Sequence, residues 1–294
     1  MHRKKKVCVV GSMNMDLMVT ADRVPEQGET ILGDSFAMSP GGKGANQAVA
    51  AARLGADVEM IGAVGDDSFG HVLLSALKEE GIHTEAVQFL AGIATGTATI
   101  ILSGSDNRII VAPGANKQVS PELVQAQKEK IADSSILLLQ LELPVETVAA
   151  AADIARQNDV PIILNPAPYQ ELPESLLRSA AFLTPNMVEN AAMQESSLYS
   201  FIKEKLILTK GKQGAAFYEK GEVTTIPSHE VDVKDTTGAG DTFNGALAAQ
   251  LSDGRSVIEA VTAANAAAAL SVKKAGAQAG MPTLSELEQF LDGK

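Results

Sequence analysis

The sequence predicts an α/β fold, Rossmann-like in its layering: a mostly parallel sheet flanked by helices on both faces, with a small β-sheet lid. Three observations predict it. Short β-branched runs alternate with Ala- and Leu-rich stretches of helical length, the pattern of parallel strands joined by helical crossovers. Glycines close the helical stretches, Gly55 and Gly81 among them. Two regions, approximately 15–38 and 95–113, break the alternation and read as paired strands.

In chain order, Val7–Ser12 is a buried first strand ending at Gly11-Ser12. Thr20 to Met38 lacks helical periodicity and contains Pro25-Glu26-Gln27-Gly28, so it joins the lid. Gly41-Gly42-Lys43-Gly44 opens an Ala-rich helix, Ala45 to Leu54; Val58–Val64 is a strand and Asp66 to Glu80 a helix. Thr97–Leu102 and Arg108–Ala112 flank the polar turn Ser103-Gly104-Ser105-Asp106-Asn107, an antiparallel hairpin. Strands at Ile136–Leu141, Ile162–Leu164, Ala181–Leu183 and Leu206–Thr209 alternate with helices at Pro121–Ile131 and Val145–Gln157. Ala215–Tyr218 and Val223–Ile226, around Lys220-Gly221, form a second hairpin. Thr242 to Leu251 and Val257 to Lys274 are helical, their alanines suited to close packing. No repeat or linker interrupts the chain, so residues 1–294 are expected to form one domain carrying the lid.

The totals restrict the partners. A formal charge of −12, from 24 Lys+Arg against 36 Asp+Glu, repels nucleic acid and anionic membrane and argues against both. An anionic ligand must then be held by local devices. The single cysteine, Cys8, lies in an apolar run and fits a reducing compartment. His2, His71, His83 and His229 lack zinc-ligand spacing. The basic start, His2 to Lys6, precedes an apolar run too short for a signal peptide, and no window has the length of a membrane span. A soluble, cytoplasmic protein is expected.

The chemistry is concentrated in Asp235-Thr236-Thr237-Gly238-Ala239-Gly240-Asp241-Thr242-Phe243-Asn244. Gly238 to Asp241 fall at the start of a helix, where free amides and the positive end of the helix dipole attract an anion. Asp241 there is either a base that accepts a hydroxyl proton or a helix cap. No Walker pattern occurs, and no G-x-G-x-x-G follows the first strand. The turn Thr209-Lys210-Gly211-Lys212-Gln213-Gly214 is a weak signal for a nucleotide loop and reads more readily as a plain strand-to-hairpin turn. Asn14 and Asp16, two apart beyond the first strand, suit the hydroxyls of a polyol or the amides of a turn. Glu142 and Asn165-Pro166-Ala167-Pro168 lie at further strand ends. Asn186 and Glu189, three apart, could order water around a divalent cation or cap a helix.

Taken together, these stretches resemble the ribokinase family of carbohydrate kinases over nearly the whole chain. Gly41-Gly42-Lys43-Gly44-Ala45-Asn46-Gln47 is similar to its N-terminal signature and Asp235 to Thr242 to its C-terminal one, with Thr184-Pro185-Asn186 and Glu189 between them. The resemblance implies an ATP-dependent kinase that phosphorylates ribose at its 5-hydroxyl. It makes Asp241 the catalytic base and the amides of Gly238, Ala239, Gly240 and Asp241 the anion hole. Asn14, Asp16, Gly42, Lys43, Asn46 and Glu142 match sugar contacts, together with Asp241. Asn186, Thr209, Lys210, Gly211, Gly214, Gly240 and Asn265 fall where ATP is held, and Asn186 and Glu189 match the motif associated with Mg²⁺ and phosphate placement. A monovalent cation, usually potassium, is implied at Asp235, Thr237, Ser271, Lys274, Gly276 and Gly280, mostly through backbone carbonyls. The family's lid pairs with another subunit's, so the hairpin near Thr97–Ala112 implies a homodimer. The segment from Asn186 to Thr209 is shorter than the family usually carries, which predicts a truncated helix. A kinase for 2-deoxyribose or a nucleoside such as adenosine stays open, as does a non-catalytic sugar or nucleotide sensor.

Overall fold

The computed structural model describes residues 6–104, 106–219 and 221–293. Its strands, in chain order, begin with β1 (Lys6–Val10), β2 (Asn14–Thr20), β3 (Ser35–Gly41), β4 (Asp57–Gly65), β5 (His83–Leu90), β6 (Gly96–Ser103) and β7 (Asp106–Ala112). They continue with β8 (Ile136–Leu139), β9 (Ile162–Leu164), β10 (Phe182–Leu183), β11 (Ile207–Thr209), β12 (Ala215–Glu219) and β13 (Glu222–Ile226). Six of them form a parallel sheet in the order β10-β9-β8-β1-β4-β5.

The central strands are mostly apolar because both faces of this sheet are covered; Lys6, Asp57 and Glu59 at the strand starts are the exceptions. Alternate residues enter two separate cores. Val7, Val9, Met60 and Leu138 pack with the helices Lys43–Arg53, Ala239–Ser252 and Val257–Ser271. Cys8, Val10, Ile61, Leu137 and Leu139 pack on the other side with Pro121–Ala126, Val145–Gln157 and Glu174–Ser179. A one-residue slip of β1 would therefore exchange its contributions to the two cores.

A second sheet has the order β3-β2-β6-β7, parallel between β2 and β6 and antiparallel at both flanks. A third, β11-β12-β13, is antiparallel. The parallel bridges Leu183↔Leu206 and Asn186↔Thr209 join it to the β10 edge of the main sheet.

Several elements depart from the sequence-based expectation. Strand β5 was not anticipated, because polar residues interrupt its run: Thr84, Ala86 and Val87 are buried while His83, Glu85 and Gln88 are exposed, as suits an edge strand covered on one side. Asn14 and Asp16 both lie within β2, which starts one residue ahead of the expected lid segment. The helix expected over Pro121–Ile131 is two, Pro121–Ala126 and Lys128–Ala132, broken where Gln127 leaves helical geometry at φ −105°. Strand β8 stops at Leu139, and the helix from Val257 ends at Ser271. The expected short element after Asn186 is the seven-residue helix Met187–Met193. Residues 1–5, with most of the basic start, and the turn residues Ser105 and Lys220 lie outside the described residues. Among the described residues no helix is long and apolar enough to cross a membrane.

Candidate active site

The helix Ala239–Ser252 starts from Gly238, whose φ of 76° is left-handed and whose missing side chain leaves room for Ala277 Cα, 2.9 Å from where a Cβ would stand. No side chain caps this helix. The N–H of Ala239, expected to face an anion, instead donates to Thr236 O at 3.2 Å and closes the turn before the helix. The first-turn donors left over are the amides of Gly240 and Asp241. A Cβ added at Gly240 would meet nothing within 4 Å, so space is open in front of this turn.

Asp241 is not a cap. Its carboxylate reaches across to the helix Lys43–Arg53, where Asn46 Nδ2 donates to Oδ2 and Gln47 Nε2 to Oδ1, each at 3.0 Å. The residue is 8% exposed. Burial pushes its pKa up, opposed by the charge of Lys43 and by the two amide donors.

The N-terminal signature brings the remaining sugar-side residues to this carboxylate. Gly42 enters the helix at φ 89°, and any Cβ there would lie 2.7 Å from the Asn14 nitrogen. Gly41 has no side chain because the Asp16 carboxylate occupies the place of its Cβ. Asn14 and Asp16, two apart on β2, share a face. Asn116 fixes the first of them: its Nδ2 donates to Asn14 Oδ1 at 2.8 Å and to Met13 O at 3.0 Å, and its Oδ1 accepts from Met13 N–H at 2.9 Å. Glu142 accepts from Ser12 Oγ at 2.5 Å and from the Lys43 N–H at 3.0 Å, which places a carboxylate at the positive end of a helix.

The charges are mutually dependent. Burial raises Asp16 from its ordinary 3.8 to about 7, helped by the negative charges of Glu142 and Asp241. Burial works against the charge of Lys43, but Asp241, Glu142 and Glu189 outweigh it and hold the ammonium above the usual lysine range. One cation is thus shared by three carboxylates in a part-buried site.

On the far side of Gly238, a cleft of about 680 Å³ is lined by Gly211, Thr236, Ala239, Asn265 and Val272, with the segment Ser228–Val231. Of the residues expected to hold a nucleotide, Gly211 and Asn265 line it; Asn186, Thr209, Lys210, Gly214 and Gly240 do not. Lys210 N–H donates to Gly214 O at 2.8 Å, closing the turn around Gly211, and Asn265 Nδ2 is held by Pro227 O at 2.7 Å. Asn186 and Glu189 form a capping box: Asn186 Oδ1 accepts from the N–H groups of Val188 and Glu189 at 2.9 Å, and Glu189 Oε2 accepts from the Asn186 N–H at 2.8 Å. Of the two alternatives open for this pair, the helix cap is present. Burial raises the pKa of Glu189, with Lys43 opposing.

The segments containing the expected monovalent-cation residues are tied to each other. Asp235 accepts from the N–H groups of Thr237 at 2.9 Å and Gly276 at 2.8 Å. Burial opposes its charge, but these bonds prevail and hold its pKa below the usual carboxylate range. Gly280 lies directly against the Ser271 carbonyl, where a Cβ would collide. The Lys274 side chain takes no part, its Nζ lying 3.4 Å from Glu286 Oε1.

Sequence reasoning missed Ser12, Asn116, Gln140 and Gln278, whose Nε2 donates to Asn46 Oδ1 at 3.0 Å, and gave Gln47 no role. For two of them the signal was a polar residue beside apolar ones: Gln140 directly follows Ile136–Leu139, and Gln47 lies in an Ala-rich helix. The wall at Ser228–Val231 carries no motif.

Residues 4–284 match the family model described as pfkB family carbohydrate kinase. The chain is 45% identical to ribokinase from Bacillus subtilis, with 98% of this chain and 99% of that one covered. Ribokinase from Arabidopsis thaliana, solved in complex with ribose and ATP, superposes with a TM-score of 0.91 at 31% identity, covering 99% of both chains. Ribokinase from Thermotoga maritima gives a TM-score of 0.89 at 33% identity, over 97% of this chain and 99% of that one.

Proposed function

The chain belongs to the pfkB family of carbohydrate kinases, and on that premise we propose that it transfers the γ-phosphoryl group of ATP to the 5-hydroxyl of D-ribose, yielding D-ribose 5-phosphate and ADP. The observation that carries this is the position of Asp241: a nearly enclosed carboxylate in the first turn of an uncapped helix, beside open space and facing the Asn14–Asp16 and Gly41–Asn46 segments.

In this mechanism Asn14, Asp16, Gly42, Lys43, Asn46 and Glu142 hold the sugar, with carboxylate and amide groups accepting from and donating to its hydroxyls. Asp241 takes the proton of the 5-hydroxyl as its oxygen attacks phosphorus. The amides of Gly240 and Asp241 and the ammonium of Lys43 receive the charge that spreads over the phosphoryl oxygens. Bringing acceptor, base and anion donors to one helix start supplies positioning, which phosphoryl transfer needs more than covalent chemistry. The adenosine part lies in the cleft of Gly211, Asn265 and Val272, with Asn186, Thr209, Lys210 and Gly214 toward the phosphates.

Glu189, with one carboxylate oxygen engaged by a backbone N–H, suits Mg²⁺, which usually keeps several waters and takes one or two carboxylates plus substrate phosphates. The carbonyl-bearing segments around Asp235, Thr237, Ser271, Lys274, Gly276 and Gly280 suit a monovalent cation. Bound, these ions supply positive charge near the phosphates that the acidic chain otherwise lacks.

The four-stranded sheet is the lid of this domain, and its outer face is the dimer contact. Met38, Leu17, Thr99 and Ile110 stand in one register row across all four strands, on the face opposite Asp16. Phe36, Met38 and Ile110 on that face are 61%, 55% and 69% exposed, large apolar side chains grouped on one face as at a protein contact.

A coupled ADP-release assay over ribose, 2-deoxyribose and adenosine, with potassium or a large organic cation, tests the reading. Ribose-dependent ADP release, stimulated by potassium, is expected. Preference for another acceptor would replace the substrate, lack of a potassium effect would remove the cation site, and silence with every acceptor would indicate a sensor.

A further inference from the structure

Behind Asp241 the structure holds a chain of buried amides on the side away from the open space. Gln47 is fully enclosed, and Gln140 and Asn165 are nearly so. Gln47 Nε2 donates to Asp241 Oδ1 at 3.0 Å and to Asn165 Oδ1 at 3.1 Å, while its Oε1 accepts from Gln140 Nε2 at 2.7 Å. Asn165 is itself held by its Nδ2, which donates to Thr184 O at 3.1 Å. The direction of this chain is forced. Were Gln47 reversed, its oxygen would face the Asp241 carboxylate and the Asn165 oxygen together. Gln140 keeps its amide toward Gln47 although its own Oε1 is then buried without a hydrogen-bond partner, pressed against Gly11. A buried orphan acceptor is unfavourable, and reversing Gln140 would bring two amide oxygens together instead.

We propose that Gln47, oriented by Gln140, is a positioning residue for the phosphoryl-transfer reaction: it anchors Asp241 through Oδ1, so that Oδ2, beside the sugar-side Asn46, is the oxygen that accepts the proton. This rests on Asp241 being the base. The division of labour follows from what stands behind each donor: Gln47 is held by the interior amides Asn165 and Gln140, whereas Asn46 Oδ1 accepts from Gln278 Nε2 at 3.0 Å and belongs to the segment assigned to the sugar. A donor fixed on Oδ1 favours the ionised carboxylate against burial, as does Lys43; Glu142 and Asp16 face the same group and act in the opposite sense.

The test is steady-state kinetics of the full-length enzyme over pH, with ribose and ATP varied, for wild type, Asp241→Asn, Gln47→Met and Gln140→Met. Gln47→Met is expected to lower kcat about 10–100-fold at neutral pH, with KM for ribose within about threefold, and to move the acid limb of kcat up by about one pH unit. Gln140→Met, which touches neither substrate nor Asp241, is expected to move kcat and the limb the same way by less. A space-filling role alone would lower thermal stability and leave the limb in place. An unshifted limb with unchanged kcat in Gln47→Met, or a loss confined to KM, overturns the proposal while an inactive Asp241→Asn keeps the functional reading intact. Full turnover in Asp241→Asn overturns both. If Gln47→Met does not fold, Gln140→Met decides: a shifted limb supports the assignment and an unshifted one refutes it.

Discussion

Replacing Asp16 with Asn should stabilise the ligand-free protein above neutral pH, although Asp16 faces the proposed sugar site. Asp16 is raised from 3.8 to about 7 in the folded state, chiefly by burial and then by Glu142 and Asp241. Between those two values the folded chain keeps a proton that the unfolded chain has released. Stability from this group is therefore fully present below pH 3.8 and declines as pH rises to about 7. At about 1.4 kcal/mol per pH unit the window corresponds to about 4 kcal/mol, and screening by water at this partly exposed side chain reduces it to about 2–4 kcal/mol. For 294 residues at about 2.1 cal/mol/K each, Asp16→Asn should then raise Tm by about 3–6 °C at pH 8. Near pH 4 it should have almost no effect. Calorimetry of both proteins without ligand across pH 4–8 measures this. A Tm difference that is constant with pH would refute the claim that the ionised Asp16 carboxylate is the unfavourable species.

Asp241→Asn should retain ribose and ATP binding by calorimetry while kcat falls about 10²–10⁴-fold, the range of a general base; kcat within tenfold of wild type would refute that role. Gly240→Ala should leave Tm within about 1 °C, since its Cβ meets nothing, yet lower kcat at least about tenfold by filling the space assigned to the phosphoryl group. Unchanged turnover would show that the phosphoryl group sits elsewhere. Ile110→Glu should weaken self-association at least about 100-fold in sedimentation equilibrium, because it places a charge at the most exposed apolar position of that face; an undiminished dimer would move the contact to another face.

The fold was legible where sequence pattern and packing coincide. The buried run of β1, the helix opened by Gly42 and the helix Val145–Gln157 are set by apolar continuity and by glycine geometry, both local properties. Strand β5 was not legible, since a strand covered on one side and interrupted by His83, Glu85 and Gln88 has no continuous apolar signal. The same division runs through the site. Asp241, Lys43 and Gly238 could be named from two contiguous stretches. The bonds that orient them could not, because Gln47 lies 194 residues from Asp241 and Asn116 lies 102 from Asn14. Gln47 and Asp241 become neighbours only where the helices Lys43–Arg53 and Ala239–Ser252 pack together on one face of the parallel sheet, and Asn14 and Asn116 only where the start of β2 meets the turn Gly114–Gln118. Asn186 and Glu189 show the reverse limit: one spacing suits both a capping box and a cation motif, and the spacing alone does not choose between them; the structure contains the capping box.

The register of the four-stranded sheet makes it a lever. Asn14 pairs with Gly41 on one side and with Gly96 on the other, so the start of β2, the end of β3 and the start of β6 meet in a single row. That row is the fulcrum, and the Asn14 amide stands on it while the apolar outer strands form the long arm. On the function proposed above, load applied to the arm by a partner surface turns about the residues assigned to the sugar, and association and sugar affinity are therefore predicted to change together.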